Sequence, residues 1–421
     1  MAQKYKYLHL VNYNTFLLWD IKRYFMTQMA SSHPIVKLGD YIQEEGTKYN
    51  ISDKTKTYGI LGVNNQTGIF DAYEENGSKI KQKYKKMQVG WIAYNPYRVN
   101  VGSIGIRTEE HLFEYISPAY VVFSCKKGLL PEFLFLLMKT DLFNKIIREN
   151  TTGSVRQNLN YSVLSNLQIP LPSLAEQNKI IAAYNATIAQ AKQYSTQAKD
   201  IDKQIEKYLN ISLGIEESSV KKHESGKLYF MSSNQLTRWD VWNVSANGYS
   251  KKYPLHYLHN VITMQSGKFL PSKAQKGGEY NVYGGNGLTG THNEFCFTGK
   301  RIVIGRVGEY CGNVHLIDGN YWITDNALKV DKIADEVTWD FLAIALQALN
   351  INQYRSISAQ PSISQTKILQ LQIPIPPLHT QNEIVEHITR LRKKQKDLQQ
   401  KSLTLRQQAT QQFEQTIFSV I

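Results

Sequence analysis

The run Asn95-Pro96-Tyr97 comes closest in this 421-residue sequence to a piece of base chemistry. Amino-methyltransferases use Asn/Asp-Pro-Pro-Tyr/Phe to hold an exocyclic amine and stack its ring. Here one Pro is missing and no Gly-rich cofactor loop precedes the run, so it reads as a turn carrying Tyr94, Asn95 and Arg98 toward a ligand. Gly284-Gly-Asn-Gly287 is rich in glycine but opens no helix, and no G-x-x-x-x-G-K-[ST] occurs, so no phosphate-binding loop is expected. The ten His residues never take H-E-x-x-H spacing. His256 and His259 are close together, yet no Cys or carboxylate pattern completes a metal site. Cys125, Cys296 and Cys311 show no C-x-x-C spacing and cannot all pair. That argues against a zinc or disulfide scaffold and for a reducing cytoplasm. The expectation is a chain whose own residues carry no catalysis, no metal and no cofactor.

What the chain has instead is positive charge. Lys plus Arg number 49 against 35 for Asp plus Glu, a formal net charge of +14. Such an excess favours a polyanionic partner, because basic side chains release counterions from phosphate. The first residues hold no long apolar run, so no signal peptide is expected, and no stretch reaches the length of a membrane span. With 42% hydrophobic residues, two or three domains could each bury a core.

The elements that must position any site are set by an internal repeat. Leu167–Ile181 matches Leu371–Val385 at an offset of 204, with nine of fifteen positions identical. Upstream, Leu8, Asn14, Trp19 and Asp20 match Leu228, Asn234, Trp239 and Asp240 at an offset of 220. A weaker match joins Gly90–Gly102 to Gly299–Gly312, each an apolar run followed by a polar, Gly-bearing turn. The chain therefore reads as domain, helix, domain, helix. Ser173-Leu-Ala-Glu176 is a capping box, and the following segment holds neither Gly nor Pro to about Leu213. Its stripe is Ile180, Ile181, Tyr184, Ile188, Ile201, Ile205 and Tyr208. Thr380-Gln-Asn-Glu383 reads as a second capping box, ahead of Ile384, Leu391, Leu398 and Leu405 at heptad spacing with Ile388 between them. Each helix would span about 60 Å at 1.5 Å per residue. Two such stripes in one chain can bury each other. The globular parts read as mixed, with strands at Arg301–Ile304 and Ala119–Phe123, short helices at 131–139 and 340–347, and a turn-dense stretch at 280–290.

These residues resemble the specificity (S) subunit of type I restriction–modification systems over essentially the whole chain. The resemblance rests on Ile169-Pro-Leu-Pro-Ser-Leu-Ala-Glu-Gln177 and Ile373-Pro-Ile-Pro-Pro-Leu-His-Thr-Gln381, which look like the segment that leads into that family's long helices. Tyr283-Gly-Gly-Asn-Gly287, Ile304-Gly-Arg-Val-Gly308, Cys311-Gly312 and Trp322–Ala327 resemble its target-recognition pattern; the first half matches this only loosely, at Trp91–Asn95 and Val101–Ser103. The resemblance implies an α+β fold. Two mixed α/β target-recognition domains in a pseudo-two-fold arrangement would be separated by two long antiparallel coiled-coil helices. The divisions are a first recognition domain at 1–172, a central helix at 173–215, a linker and second domain at 216–376, and a C-terminal helix at 377–421. Each domain would read one half of a bipartite, asymmetric site in double-stranded DNA, and the helices would fix the unread spacer. The implied partners are two methyltransferase subunits and the restriction (translocase/nuclease) subunits. S-adenosylmethionine, ATP and Mg would belong to those partners, in the cytoplasm and away from any membrane.

Residues in or beside turns are the candidate DNA contacts. In the first half they are Lys54, Lys56, Tyr58, Asn64, Asn65, Tyr94, Arg98 and Asn100; in the second they are Lys268, Lys273, Tyr283, Asn286, Arg306 and Asn326. Arg98 and Arg306 stand out, since Arg pairs bidentately with guanine. Trp19 and Trp239 are expected to anchor domain–helix junctions, and Lys221–Lys227 to form the linker. Arg390, Arg392, Lys393, Lys394 and Lys396 crowd the second helix, either toward spacer phosphates or on a solvated face. Three rivals stay open on sequence alone: a specificity subunit of another multi-subunit modification–restriction enzyme, a coiled-coil scaffold that binds no nucleic acid, and a self-sufficient DNA enzyme.

Overall fold

The computed structural model describes residues 27, 29–99, 102–150, 158–215, 252–275, 277–356 and 360–418. Trp19, Trp239, Asn100 and the predicted linker 221–227 lie outside them. The fold is α+β, and the chain divides into two compact units, Met1–Gln193 with Lys401–Ile421, and Tyr194–Gln400.

The first unit contains β1 (Ile35–Lys37), β2 (Ile42–Glu44), β3 (Lys48–Tyr49), β4 (Thr57–Asn64), β5 (Gly68–Asn76), β6 (Tyr84–Lys86), β7 (Ile92–Tyr94), β8 (Ile104–Ile106), β9 (Tyr115–Ile116) and β10 (Val121–Cys125). Helices α1 (Pro131–Met138), α2 (Asp141–Asn150) and α3 (Tyr161–Ser165) follow, then β11 (Gln168–Pro170) and the start of α4 (Leu174–Leu213). The strands form a sheet in the order β2-β10-β7-β8, another in the order β3-β6-β9-β4-β5, and the pair β1-β11. The apolar faces of β7 and β10 meet α1 and α2 in a core of Ile92, Tyr94, Phe123, Phe133, Leu137, Phe143 and Ile169.

The second unit repeats this plan. It holds β12 (Leu255–Tyr257), α5 (Leu258–Val261), β13 (Ile262–Ser266), β14 (Tyr280–Gly284), β15 (Gly287–His292), β16 (Phe297–Thr298), β17 (Arg301–Gly305), β18 (Val314–Ile317), β19 (Asn320–Ile323) and β20 (Ala327–Ile333). Then come α6 (Trp339–Ala348), α7 (Gln365–Leu369), β21 (Gln372–Pro374) and α8 (Leu378–Ile417). The sheet orders β13-β20-β17-β18 and β15-β14-β19-β16 and the pair β12-β21 echo those of the first unit. In both, a hairpin strand runs parallel to its neighbour, β4 beside β9 and β14 beside β19. The Gly90/Gly299 match seen in sequence is thus β7 against β17, which sets Tyr94 opposite Ile304. The strand read at 119–123 lies two residues later, at Val121–Cys125.

The long helices bury their stripes within each unit. In the first, Tyr184 meets Phe413 edge-on at 6.4 Å and the Ser402 hydroxyl donates to the Ala191 carbonyl at 2.7 Å. In the second, Tyr208 stacks on His387 at 4.0 Å and the Gln395 amide donates to Ala198 O at 3.1 Å and Asp202 Oδ1 at 2.8 Å. In each unit the partner numbers on α8 fall as those on α4 rise, so the pairing is antiparallel. Ala191 and Ala198 are buried. Their small side chains let a polar group reach a backbone carbonyl on the facing helix, and that pins the register.

The start of α4 is the predicted capping box: Ser173 N–H and Oγ both donate to Glu176 Oε2, at 3.0 and 2.9 Å. The second predicted box is not formed. Helix α8 begins at Leu378, so Pro377 occupies the cap position and Thr380 already lies in the first turn. The repeat offset of 204 aligns Pro377 with Ser173 and Thr380 with Glu176, and Pro has no side-chain acceptor to offer.

What the first turns of α4 and α8 share is a buried glutamine. Gln177 and Gln381 are each 0% exposed. Gln177 Oε1 accepts from Leu130 N–H at 2.8 Å, and its Nε2 donates to Gly128 O and Pro172 O, both at 2.9 Å. Gln381 Oε1 accepts from Thr338 N–H at 2.9 Å, and its Nε2 donates to Glu336 O at 2.6 Å and Pro376 O at 2.9 Å. Leu130 and Thr338 are the N-cap residues of α1 and α6. Each amide therefore ties the first turn of a long helix to the start of a short one. Replacing either Gln by Ala orphans three backbone groups, one buried and two part-buried, and a loss of about 2 kcal/mol is expected in urea unfolding of the purified chain. The exposed neighbours Asn178→Ala and Asn382→Ala should change stability by less than about 0.5 kcal/mol.

Candidate nucleic-acid interface

In the second unit, four loops converge where strands end. The β14–β15 turn carries Asn286, the end of β17 carries Arg306, the β19–β20 turn carries Asn326, and the segment after β13 carries Lys268. Backbone bonds lock them together. Arg306 N–H donates to Asn326 O at 3.0 Å, Thr324 N–H to Tyr283 O at 2.8 Å, Lys268 N–H to Ile323 O at 2.8 Å and Gly267 N–H to Ala327 O at 3.0 Å. The crossing is tight: a Cβ on Gly305 would lie 2.0 Å from the Gly285 carbonyl oxygen. Asn286, Arg306, Asn326 and Lys268 project from this floor as exposed side chains. Arg306 Nη1 rests on Ser266 Oγ at 3.1 Å. Tyr283 is half-buried, edge-on to Tyr321 at 6.0 Å. Lys273 sits on a short 3-10 turn, Ser272–Ala274, beside β15, where Gln275 Oε1 accepts from Thr289 Oγ1 at 3.1 Å.

Beneath these tips lies a cationic group that sequence reading missed. Lys329 on β20 is 3% exposed, with its ammonium 4.5 Å from the Phe297 ring and bonded to the Asp331 carboxylate. The Lys268 ammonium lies 5.7 Å from the same ring. Burial, with Arg301 and Lys268 nearby, lowers the Lys329 pKa. The only signal in the sequence was a Lys flanked by apolar residues, Ala327-Leu-Lys-Val330. His315 lies under the same turn, where its ring would meet a Cβ on Gly287 at 2.9 Å; burial lowers its pKa.

The first unit gathers fewer of its candidates. Asn64 and Asn65 occupy the β4–β5 turn, and Arg98 follows β7. These meet through Ser103, whose hydroxyl donates to Val63 O at 3.1 Å and whose N–H donates to Arg98 O at 3.1 Å. A Cβ on Gly105 would lie 2.2 Å from Ile69 N, so this floor too depends on a bare backbone. Asn65 and Arg98 are exposed. Asn64 Oδ1 is committed to its own turn, accepting from Gln66 N–H at 2.9 Å and Thr67 N–H at 2.7 Å. Lys54, Lys56 and Tyr58 lie at the opposite end of β4, roughly 20 Å away at 3.3 Å per residue. Lys56 pairs with Asp53 at 3.7 Å, and Tyr58 packs edge-on to Tyr115 at 5.7 Å.

Tyr94 must be withdrawn as a contact. It is 0% exposed, inside the core against Phe123 at 6.2 Å. Burial raises its phenol pKa. Its place in β7 explains this: the side chain faces α1 as the equivalent Ile304 faces α6, and the turn proper starts at Asn95. That turn has the same frame as the one after β17. Asn95 N–H donates to Ser103 O and Leu159 N–H to Pro96 O, just as Gly305 N–H donates to Asn313 O and Ile363 N–H to Arg306 O. Pro96 thus stands where Arg306 stands, and the exposed side chains there are Tyr97 and Arg98. On α8, Arg392 donates to Gln347 Oε1 at 2.5 Å and so ties that helix to α6.

Among the described residues, no group of three or more His, Cys, Asp or Glu is placed to hold a metal ion, and no helix is long and apolar enough to cross a membrane. Gly305→Ala should force the β14–β15 turn off β17 and cost about 2 kcal/mol or more in a thermal melt, whereas Asn286→Ala on the same turn should stay within about 0.5 kcal/mol.

Comparison with known proteins bears on both halves. The model of the type I restriction modification DNA specificity domain matches residues 35–207 and again 250–405. The specificity subunit of the type I restriction enzyme EcoprrI from Escherichia coli is 32% identical over 123 residues, 29% of this chain and 28% of that protein, so the matched stretch spans less than a third of that relative. A solved chain from a study of complex assembly and conformational transition in the type I R-M system is 15% identical, covers 93% of this chain and 97% of its own, and has a TM-score of 0.55. The type I restriction–modification S subunit from M. genitalium is 14% identical, with coverage of 93% and 97% and a TM-score of 0.50. At such identities the solved chains speak to fold alone. The twice-matched family model, falling on two halves with one plan, makes this chain a member of the type I restriction–modification DNA specificity family.

Proposed function

We propose that this chain is the DNA-reading subunit of a type I restriction–modification complex and does no chemistry itself. The observation that carries this is the convergence, in each half, of polar and cationic side chains on loops held by backbone bonds. Such tips can enter a groove while the floor stays fixed. The net charge of +14 supplies the sequence-independent attraction to phosphate. Residues 1–172 and 216–376 act as the two recognition domains, each reading half of a bipartite, asymmetric site. Residues 173–215 and 377–421 act as the helices that set the spacer and dock two methyltransferase subunits. Restriction subunits join that core in the cytoplasm, and S-adenosylmethionine, ATP and Mg serve those partners.

Within this reading, Arg98, Asn65, Asn64, Arg306, Asn286 and Asn326 take base edges. Lys54, Lys56, Lys268 and Lys273 take phosphates, Tyr283 supports the second cluster, Tyr58 stays with Lys54 and Lys56 at the far end of β4, and Asn100 remains a candidate contact outside the described residues. Lys329, paired with Asp331, and Arg301 lie below the second cluster.

Mapping methylated bases in cells that express the chain with its methyltransferase subunit tests the function. A split, asymmetric motif is expected; a continuous palindrome, or methyl transfer by the isolated chain, overturns the reading. Arg306→Ala should relax one base position in the second half-site by about 1–3 kcal/mol. Lys54→Ala should weaken all duplexes alike and lower the salt slope by about 1. Gel-shift titrations across a salt series distinguish the two.

A further inference from the structure

The bases that such a subunit accepts depend on its loop tips, but the distance between half-sites depends on how each tip cluster is held on its own helix. In each unit one corner of that connection is pinned by a buried glutamine, alongside the apolar core that the helices and sheet share and, in the second unit, the Arg392–Gln347 bond. The loop cluster of the second unit stands on β17, and β17 and β18 pack on α6. The N-cap of α6 is Thr338, whose N–H is held by Gln381 on the first turn of α8. In the first unit β8 packs on α1, whose N-cap Leu130 is held by Gln177 on the first turn of α4.

We propose that Gln177 and Gln381 are positioning residues for DNA recognition: they fix the orientation of each loop cluster on its long helix and so restrict the complex to one spacer length. The inference rests on the reading proposed above. The amide suits the task because it offers two donors and an acceptor at the end of a long stem. Glu would lose the donors, and Asn would fall one methylene short. Its three bonds reach two segments: the N-cap of a short helix together with the residue two before it, and the residue just before the long helix's own cap. One base-pair step is about 3.4 Å of translation with about 35° of rotation, and a shift of that size at the corner would break the amide's bonds. The loop clusters are tied by their own backbone bonds, such as Arg306 N–H to Asn326 O. Loosening the corner therefore leaves base preference intact while it relaxes spacing.

The test uses the full chain co-expressed with its methyltransferase subunit, with modified bases mapped across the host genome. Gln381→Ala and Gln177→Ala should keep the same half-site bases. Preference for the native spacer over one base pair shorter or longer should fall from about tenfold or more to about threefold or less. If an Ala variant fails to accumulate, Gln381→Met keeps the length and loses the bonds, and is scored in the same way. Val282→Ala, a buried truncation away from the corner, is the control for general destabilisation. Two results overturn the proposal alone: variants that methylate while holding the single native spacer, or a control that broadens spacing equally. Absence of bipartite methylation by the wild-type complex overturns the parent reading and this proposal with it.

Discussion

One side-chain amide, repeated twice, governs how this fold is put together. Gln177 and Gln381 are fully enclosed, and each satisfies three backbone groups that a chain leaving a strand and starting a helix would otherwise strand. Burying a polar group is tolerable only when its bonding capacity is met. Here the need runs in both directions, since the amide needs the corner and the corner needs the amide. The rest of each unit follows from that fixed corner. The short helix starts in a set direction, the sheet lies on the short helix, and the loops stand at the ends of the sheet.

The two halves solve the same packing problem with different residues. Tyr94 and Ile304 fill equivalent core positions, and Pro96 and Arg306 accept equivalent backbone bonds from Leu159 and Ile363. The frame is therefore a property of the main chain and its glycines, while the tips differ. That division matches a protein whose halves must fold alike yet read unlike sequences.

Much of this was legible in the sequence, and for a physical reason. Helix α4 announced itself through its capping box and its apolar stripe, and the repeat at an offset of 204 placed its counterpart. Turn-rich stretches marked the loops, and Asn286, Arg306 and Asn326 do share one cluster. Other features were not legible. The capping logic misassigned Thr380, because Pro377 gives no side-chain signal and only alignment with Ser173 reveals the start. Tyr94 looked like a contact because a polar turn followed it, yet strand alternation had already turned it inward. Lys54 and Lys56 lie near the β4–β5 tip in sequence but a strand's length away in space. The role of Gln177 and Gln381 was hidden as well, since two of each glutamine's three partners are backbone groups 43 to 49 residues distant, and main-chain partners leave no mark on residue type.

The glycine floor beneath the second cluster has an evolutionary corollary. Arg306 and Asn326 are joined backbone to backbone, so the identity of their side chains contributes little to folding. A lineage can exchange them freely without crossing its stability threshold. Gly305, which has no side chain to offer a ligand, is the position where change would be purged first.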